Sequence, residues 1–210
     1  MTQRLSTFHR CALAGALLAS TAAHAVVGAP ANSDTDGSMG DIAYGSTGNV
    51  FELIPRLFVQ GLGSAGNPQA VTGLNPLLQY GFSVSGAGTG LLTIDYTVRN
   101  SSAVQSFNDL RFMLFANPDG GADFMDTVTE KWGAPAAGDP VRREARVPDA
   151  VNGILSRIAL TGNLTEAPTA IDATCAGGAG CDANVALQWT TALLAPGQTM
   201  RVRVGLSDDG

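Results

Sequence analysis

The chain has little of the chemistry on which most catalytic sites depend. Its 210 residues include two histidines and a single lysine, Lys131, and both histidines, His9 and His24, fall within the first 24 positions. Without a histidine further along the chain, neither a Ser-His-Asp nor a Cys-His arrangement can be built, and a zinc-bound water is disfavoured. The composition therefore argues against the commonest hydrolase mechanisms.

A pair of carboxylates is the catalytic device that stays open, as in glycoside hydrolysis. The candidates by residue type are Glu52, Asp95, Asp109, Glu130 and Glu144. Nothing in their spacing selects two of them, and acids on a solvated surface are the simpler interpretation. We assign no catalytic residue and expect a protein that is not an enzyme.

Residues 1–25 have the three parts of a secretory signal peptide. Arg4 and Arg10 give a charged start, the apolar run 11–19 follows, and the segment ends in Ala23-His24-Ala25. The apolar run is shorter than the about 20 residues that span a bilayer, and a buried helix is the alternative interpretation. We predict cleavage after Ala25 and export to the periplasm, the cell surface or the medium.

Cleavage would leave ten basic residues against all 18 acidic ones, a formal net charge of −8. This acidity disfavours nucleic acids and anionic membranes as partners. Two cysteines would remain, Cys175 and Cys181, separated by five small residues. An even pair in an exported chain predicts a disulfide, whereas a metal-binding or reactive thiol pair lacks a histidine or a third cysteine.

The remaining sequence has the periodicity of β-strands. In 92–98 the even-numbered residues are apolar and the odd-numbered ones polar, which predicts a strand with one buried face. The run 110–115 is apolar at both parities and so predicts a central strand. Pro55, inside the strand-like run 50–60, predicts an edge position or a break.

These patterns predict a mainly β protein, an antiparallel β-sandwich of immunoglobulin-like or jelly-roll-like type. We expect a flexible N-terminal arm at 26–49 and a single sandwich domain at 50–210, with one short helix near 149–159. A hairpin is the alternative at that helix, because Asn152-Gly153 is a turn signal. Residues 61–66 match G-x-G-x-x-G, but Asn67-Pro68 follows, and we interpret the region 61–76 as a loop.

The acidic segment 117–126 is the best candidate for a binding site. Calcium prefers six to eight oxygen ligands from carboxylates, amides and backbone carbonyls. A glycine-bent loop could bring together four such side chains, Asn117, Asp119, Asp123 and Asp126. The spacing is not that of an EF-hand, and an ordinary polar turn is the alternative. We predict no other cofactor, and Asp34 with Asp36 form a weaker version of the same pattern.

Two stretches, LTIDYTVRNSS and LQWTTALLAPGQTMRVRVGLSDDG, resemble bacterial extracellular immunoglobulin-like sandwich domains. Three further phrases, FANPDGGADFMDTV, WGAPAAGDP and the closing LSDDG, resemble secreted proteins of the exosortase-sorted class. Members of that class end in a Pro-Glu-Pro motif, an apolar helix and a basic tail. The sequence stops at Gly210 without these parts, so it is either a fragment or a fully secreted relative.

The resemblance implies a location and a fold rather than an activity. We expect an exported, non-enzymatic module of the cell surface, the matrix or an adhesive structure, with an extracellular protein or polysaccharide as partner. The alternative is a secreted carbohydrate-binding or carbohydrate-active protein. In that case Trp132, Trp189 and Tyr80 would stack on sugar rings, although tryptophans are more often part of the core.

Overall fold

The computed structural model describes residues 27–44, 49–119, 142–146, 150–165 and 184–207. Within these ranges the chain forms nine β-strands and two α-helices. The elements in chain order are β1 (Asn32–Ser33), β2 (Met39–Tyr44), β3 (Asn49–Val59), α1 (Pro68–Gly73), β4 (Leu78–Ser85), β5 (Leu91–Asn100), β6 (Phe107–Asp119), β7 (Arg142–Arg146), α2 (Ala150–Thr161), β8 (Asn184–Leu194) and β9 (Thr199–Ser207).

The strands form two antiparallel sheets packed as a sandwich, which confirms the predicted fold class. The larger sheet has the order β1-β2-β3-β6-β8-β7 and the smaller one the order β4-β5-β9. The core between them takes Leu57 and Phe112 from the larger sheet, and Ile94, Tyr96 and Val202 from the smaller sheet. The even-numbered residues of 92–98 are all buried, as their alternation predicts.

Strand β6 is central, with β3 on one side and β8 on the other. Its two faces contact two separate cores, because Phe112 belongs to the core between the sheets and Phe115 belongs to a second core under α2. Ile154 and Ile158 of α2 are fully buried in that second core. The apolar run 110–115 is thus explained, and the helix predicted near 149–159 is confirmed.

Pro55 lies in an interior strand, yet its position is locally an edge. Strand β2 pairs with β3 only as far as Leu53, and the next contact on that side is the Leu57–Gly66 bridge, in which both amides donate to the opposite carbonyls. Amides of alternate residues in a strand point to the same side. The missing N–H of Pro55 therefore falls in the gap between these two contacts, and β3 pairs with β6 without a break.

A short helix, α1, interrupts the region that the sequence indicated as a loop. Asn67 caps it, since its side-chain oxygen accepts hydrogen bonds from the amides of Gln69 at 2.9 Å and Ala70 at 3.2 Å. Pro68 occupies the first turn, where the absent N–H has no intrahelical partner to lose. The Asn67-Pro68 pair is the sequence signal for this helix. The Asn67 side chain already binds the amides of Gln69 and Ala70 that a phosphate at the helix start would need.

The described part of the predicted N-terminal arm, residues 27–44, belongs to the sandwich. Val27 and Ile42 are fully buried, and Val27 donates its amide to the carbonyl of Thr89 at 2.9 Å. Strand β2 extends the larger sheet, with a bulge at Asp41, whose φ is 52°. Backbone pairing and a few buried side chains are enough to attach the segment to the sheet, so its sequence needs no apolar period. Within the described residues, the two sheets therefore include strands from 27–44 as well as from the region after residue 49.

Candidate functional site

A surface depression beside β1 and β2 forms an acidic cleft with a volume of about 280 Å³. Three carboxylates line it, Asp34, Asp41 and Glu52, together with Asn32 and Ser38. Asn32 donates from its side-chain amide to the Asp41 carboxylate at 2.8 Å, which orients that acid at the bulge. The cleft is therefore a negatively charged surface that presents carboxylate oxygens.

The turn 34–38 forms one wall of this cleft and is held by backbone and side-chain bonds. The amide of Gly37 donates to the carbonyl of Asp34 at 3.0 Å, and the amide of Asp34 donates to the carbonyl of Ser38 at 2.9 Å. Asp36 is buried, with one carboxylate oxygen accepting from the Ser38 amide at 2.8 Å and the other from the Asn67 side chain. Both oxygens of Asp36 therefore have structural roles within the turn.

Two tyrosines of the smaller sheet fasten the same turn to the core. The hydroxyl of Tyr80 donates to the carbonyl of Asp36 at 2.7 Å, and that of Tyr96 donates to the carbonyl of Gly37 at 3.3 Å. Burial, followed by the negative charge of Asp36, raises the pKa of Tyr96. Burial is also the main cause that raises the pKa of Tyr80. Both hydroxyls stay protonated donors across the physiological pH range.

The calcium prediction at 117–126 falls mostly outside the described residues. Asn117 and Asp119 lie in the last part of β6, where they pair with Glu52 and Val50 of β3, so the strand continues three residues into the predicted loop. Asp123 and Asp126 are outside the described ranges. Since Glu52 also lines the acidic cleft, the described end of the predicted loop adjoins that cleft. In the described part of the chain, no three acids, cysteines or histidines are grouped to hold a metal.

The four candidate catalytic carboxylates that the structure describes lie on different strands, and three of them pair with arginine. Asp95 accepts two bonds from Arg203, at 2.8 and 3.0 Å, and these bonds hold the pKa of Asp95 below its usual value. Asp109 pairs with Arg111, whose Nε donates at 2.8 Å. The third pair belongs to Glu144 and lies under α2, and Glu130 lies outside the described residues.

A buried polar network under α2 joins that helix to the larger sheet. Glu144 of β7 has only 1% of its surface exposed and pairs with Arg157 of α2. Burial lowers the pKa of Arg157. Gln188 of β8, equally buried, accepts from the amide of Leu164 at 2.9 Å and donates to the side chain of Asn163 at 3.1 Å. The network fixes the end of α2 on the sheet.

The aromatic residues that were candidates for sugar stacking are mostly integrated into the core. Trp189 is half-buried and packs against Phe112, with ring centroids 6.4 Å apart. Tyr80 is tied to the turn 34–38 through its hydroxyl. Trp132 and the predicted disulfide cysteines, Cys175 and Cys181, lie outside the described residues.

Asn100 is a buried polar residue whose role was not predicted from the sequence. It is fully buried and donates its side-chain amide to the carbonyls of Gln105 at 2.7 Å and Leu194 at 3.0 Å. Its side-chain oxygen accepts from the amide of Ser102 at 3.0 Å. The residue links the end of β5 to β8 and to the loop that enters β6.

Comparison with protein-family models, curated proteins and solved structures finds no match for this chain. Across the described ranges, neither helix has the length and apolar character needed to cross a membrane.

Proposed function

We propose that this protein is an exported, non-enzymatic β-sandwich module of the cell surface, the matrix or an adhesive structure. The observation that carries the proposal is the position of the predicted cleavage site, two residues before the fully buried Val27. Cleavage after Ala25 would release a chain that keeps every described strand, including the pairing of Val27 with Thr89. The arginine pairs of Asp95, Asp109 and Glu144 further support structural rather than catalytic roles for these acids.

Cell fractionation with mass spectrometry tests the export step. We expect the protein outside the cytoplasm with Val26 as its first residue. The peptide or peptides that contain Cys175 and Cys181 should be lighter by two hydrogen atoms than with both thiols free. Replacing Ala25 by Phe should block cleavage, since the peptidase requires a small residue there. The matched change Ala29→Phe, at an exposed position beyond the site, should leave cleavage intact. A full-length protein that stays in the cytoplasm would refute the proposal.

Calcium at 117–126 stays a prediction of the sequence. A weak extracellular site, with a dissociation constant of about 10⁻⁴ to 10⁻³ M, would bind only the folded state and raise the melting temperature at millimolar calcium. Asp123→Ala should remove this effect, whereas Asp41→Asn, an equal change of charge in the acidic cleft, should retain it. If sodium chloride of equal ionic strength produces the same shift, the segment is an ordinary turn.

The second candidate function is carbohydrate binding. It is favoured by the outer face of the smaller sheet, which presents hydroxyl and guanidinium groups to solvent. A glycan array with the purified protein would test it directly. Saturable binding that Trp132→Ala removes without unfolding would place a stacking site at that tryptophan, and binding that survives this change would direct attention to the sheet.

A further inference from the structure

In the described part of the chain, the exposed arginines are gathered on one face of the sandwich. Among the described arginine side chains, Arg99, Arg201 and Arg203 are exposed, and all three project from the outer face of the sheet β4-β5-β9. The other four, Arg56, Arg111, Arg142 and Arg157, are half-buried. They donate to protein acceptors such as the carbonyls of Pro55 and Leu164 or the acids Asp109 and Glu144.

The strand register places the three guanidinium groups in a diagonal row. Arg201 and Arg203 are two residues apart on β9, which separates their Cα atoms by about 7 Å along one face. Arg99 on β5 lies opposite Thr199, and Thr97 lies opposite Arg201, so Arg99 is the diagonal neighbour of Arg201. Diagonal neighbours are separated by about 7–8 Å. The result is a regularly spaced line of positive charge across two strands.

Apart from the exposed Leu91 at one end, the rest of this face is polar or small and nearly free of negative charge. Four rows of three outward positions cross the sheet from Gln79 to Ser85, and outside the arginines they carry glycine, serine, threonine, glutamine and one acid, Asp95. Asp95 neutralises Arg203, whose side chain is nonetheless 73% exposed. Arg99 and Arg201 have no carboxylate opposite them in the register, where they face Thr199 and Thr97. This concentration of positive charge stands out on a chain of net charge −6.

We propose that the outer face of the sheet β4-β5-β9 binds an acidic polysaccharide, whose carboxylates would bridge the guanidinium groups of Arg99, Arg201 and Arg203. Guanidinium groups donate paired hydrogen bonds that match carboxylate oxygens. The hydroxyls of Thr93 and Ser83 on the same face can exchange hydrogen bonds with sugar hydroxyls. The proposal rests on the proposed function, because an exported protein meets such polymers outside the cell.

A polysaccharide fits this face better than a nucleic acid does. Duplex DNA carries one negative charge per about 1.7 Å, so the acidic remainder of the protein would repel it more strongly than a polymer with about one charge per sugar. An acidic polysaccharide carries only about one charge per sugar, so a single row of arginines can match its lower charge density. The outward positions of the four rows also include no aromatic side chain on which a base could stack.

Affinity measurements with alginate as the probe test the proposal. The double variant Arg99→Gln/Arg201→Gln should bind roughly tenfold more weakly, since each exposed charge contact contributes modestly. Asp95→Asn should bind a few-fold more tightly, because it releases Arg203 and removes the single acid from the face. Wild-type binding should weaken with added salt, as expected for exposed charges. Neutral dextran serves as the uncharged comparison.

The matched control is Asp41→Asn, which changes net charge as Asp95→Asn does but lies in the acidic cleft. We expect its affinity for alginate to stay within about twofold of wild type. Equal gains from the two variants would overturn the proposal, since the effect would then come from net charge alone. Binding to dextran as tight as to alginate would also overturn it, as would binding to DNA that is tighter and lost in the same double variant. Because the purified protein is used, these outcomes are independent of whether the protein is exported.

Discussion

Replacing Asn100 by Ala should destabilise the protein strongly, because this side chain is a buried polar link between three segments. The substitution removes three hydrogen bonds with lengths of 2.7, 3.0 and 3.0 Å, all made by one fully buried amide. Their partners are backbone groups of Ser102, Gln105 and Leu194, and Ser102 and Leu194 are themselves buried. The variant therefore leaves a buried N–H and a buried carbonyl without the bonds that the native side chain supplies.

The expected loss of stability is about 3–4 kcal/mol. Each hydrogen bond contributes about 1 kcal/mol net, and a buried polar group that loses its partner costs about 1–3 kcal/mol, part of which a water that enters the corner would recover. For a chain of this size, 1 kcal/mol corresponds to about 2–4 °C, so the melting temperature should fall by about 6–16 °C. Asn100→Asp should be worse still, because it places a carboxylate against the carbonyls of Gln105 and Leu194.

Urea unfolding followed by tryptophan fluorescence would measure this effect, since Trp189 packs against Phe112 in the core. The matched control is Asn108→Ala, which removes the same side chain from an exposed position of β6. It should change the free energy of unfolding by no more than about 0.5 kcal/mol. A difference between the two variants below about 1 kcal/mol would show that Asn100 is not the polar link that its contacts indicate.

Three further predictions concern the helix anchor and the N-terminal turn. Glu144→Ala leaves a partly buried guanidinium without its carboxylate and should cost about 3 kcal/mol, with amide exchange accelerated most in α2; uniform acceleration across the sheets would contradict the anchor role. Gly37→Ala would place a Cβ 2.5 Å from the Tyr80 hydroxyl at a φ of 81°, and it should lower the free energy of unfolding by about 2–3 kcal/mol. The control Gly63→Ala, at a φ of 100° in open space, should lower it only by the backbone strain of about 1 kcal/mol. Urea unfolding measures both variants. Because the folded pKa values of Tyr80 and Tyr96 are raised, the stability that these hydroxyls contribute is complete below about pH 10 and is lost above it. Absorbance at 295 nm should therefore show that the two tyrosines ionise together with unfolding. Ionisation of either tyrosine in the folded protein would refute this prediction.

Periodicity was sufficient where one side-chain pattern has one structural solution. The alternation in 92–98 specifies a strand with a single buried face, and the doubly apolar run 110–115 specifies a strand between two layers, because each residue's side is set by its parity. The helix near 149–159 buries Ile154 and Ile158, which are one turn apart, against the second core. Gly153 is exposed there, so it costs the helix only its low propensity.

Local chemistry was readable in part. Asn67-Pro68 carried the signal for a helix start, yet the helix that follows, α1, has only six residues and is too short to show an apolar period. Pro55 indicated an edge position. In the structure it lies in an interior strand, beside a gap in the pairing that exists because β2 pairs with β3 only as far as Leu53. The N-terminal residues 27–44 have no pattern of their own, because their position depends on contacts with Tyr80, Tyr96 and Asn67, which are distant in sequence.

The sequence by itself determined the mainly β composition, the buried faces of its main strands, the signal-peptide pattern and the shortage of catalytic side chains. These properties follow from residue type and short-range spacing. Tertiary structure alone decided that Arg99 is the diagonal neighbour of Arg201, that Asp95 pairs with Arg203 across the sheet, and that Glu52 adjoins both the acidic cleft and Asn117. Such neighbours are set by strand register between segments that are distant in the sequence, and register depends on the packing of the whole core rather than on any local pattern.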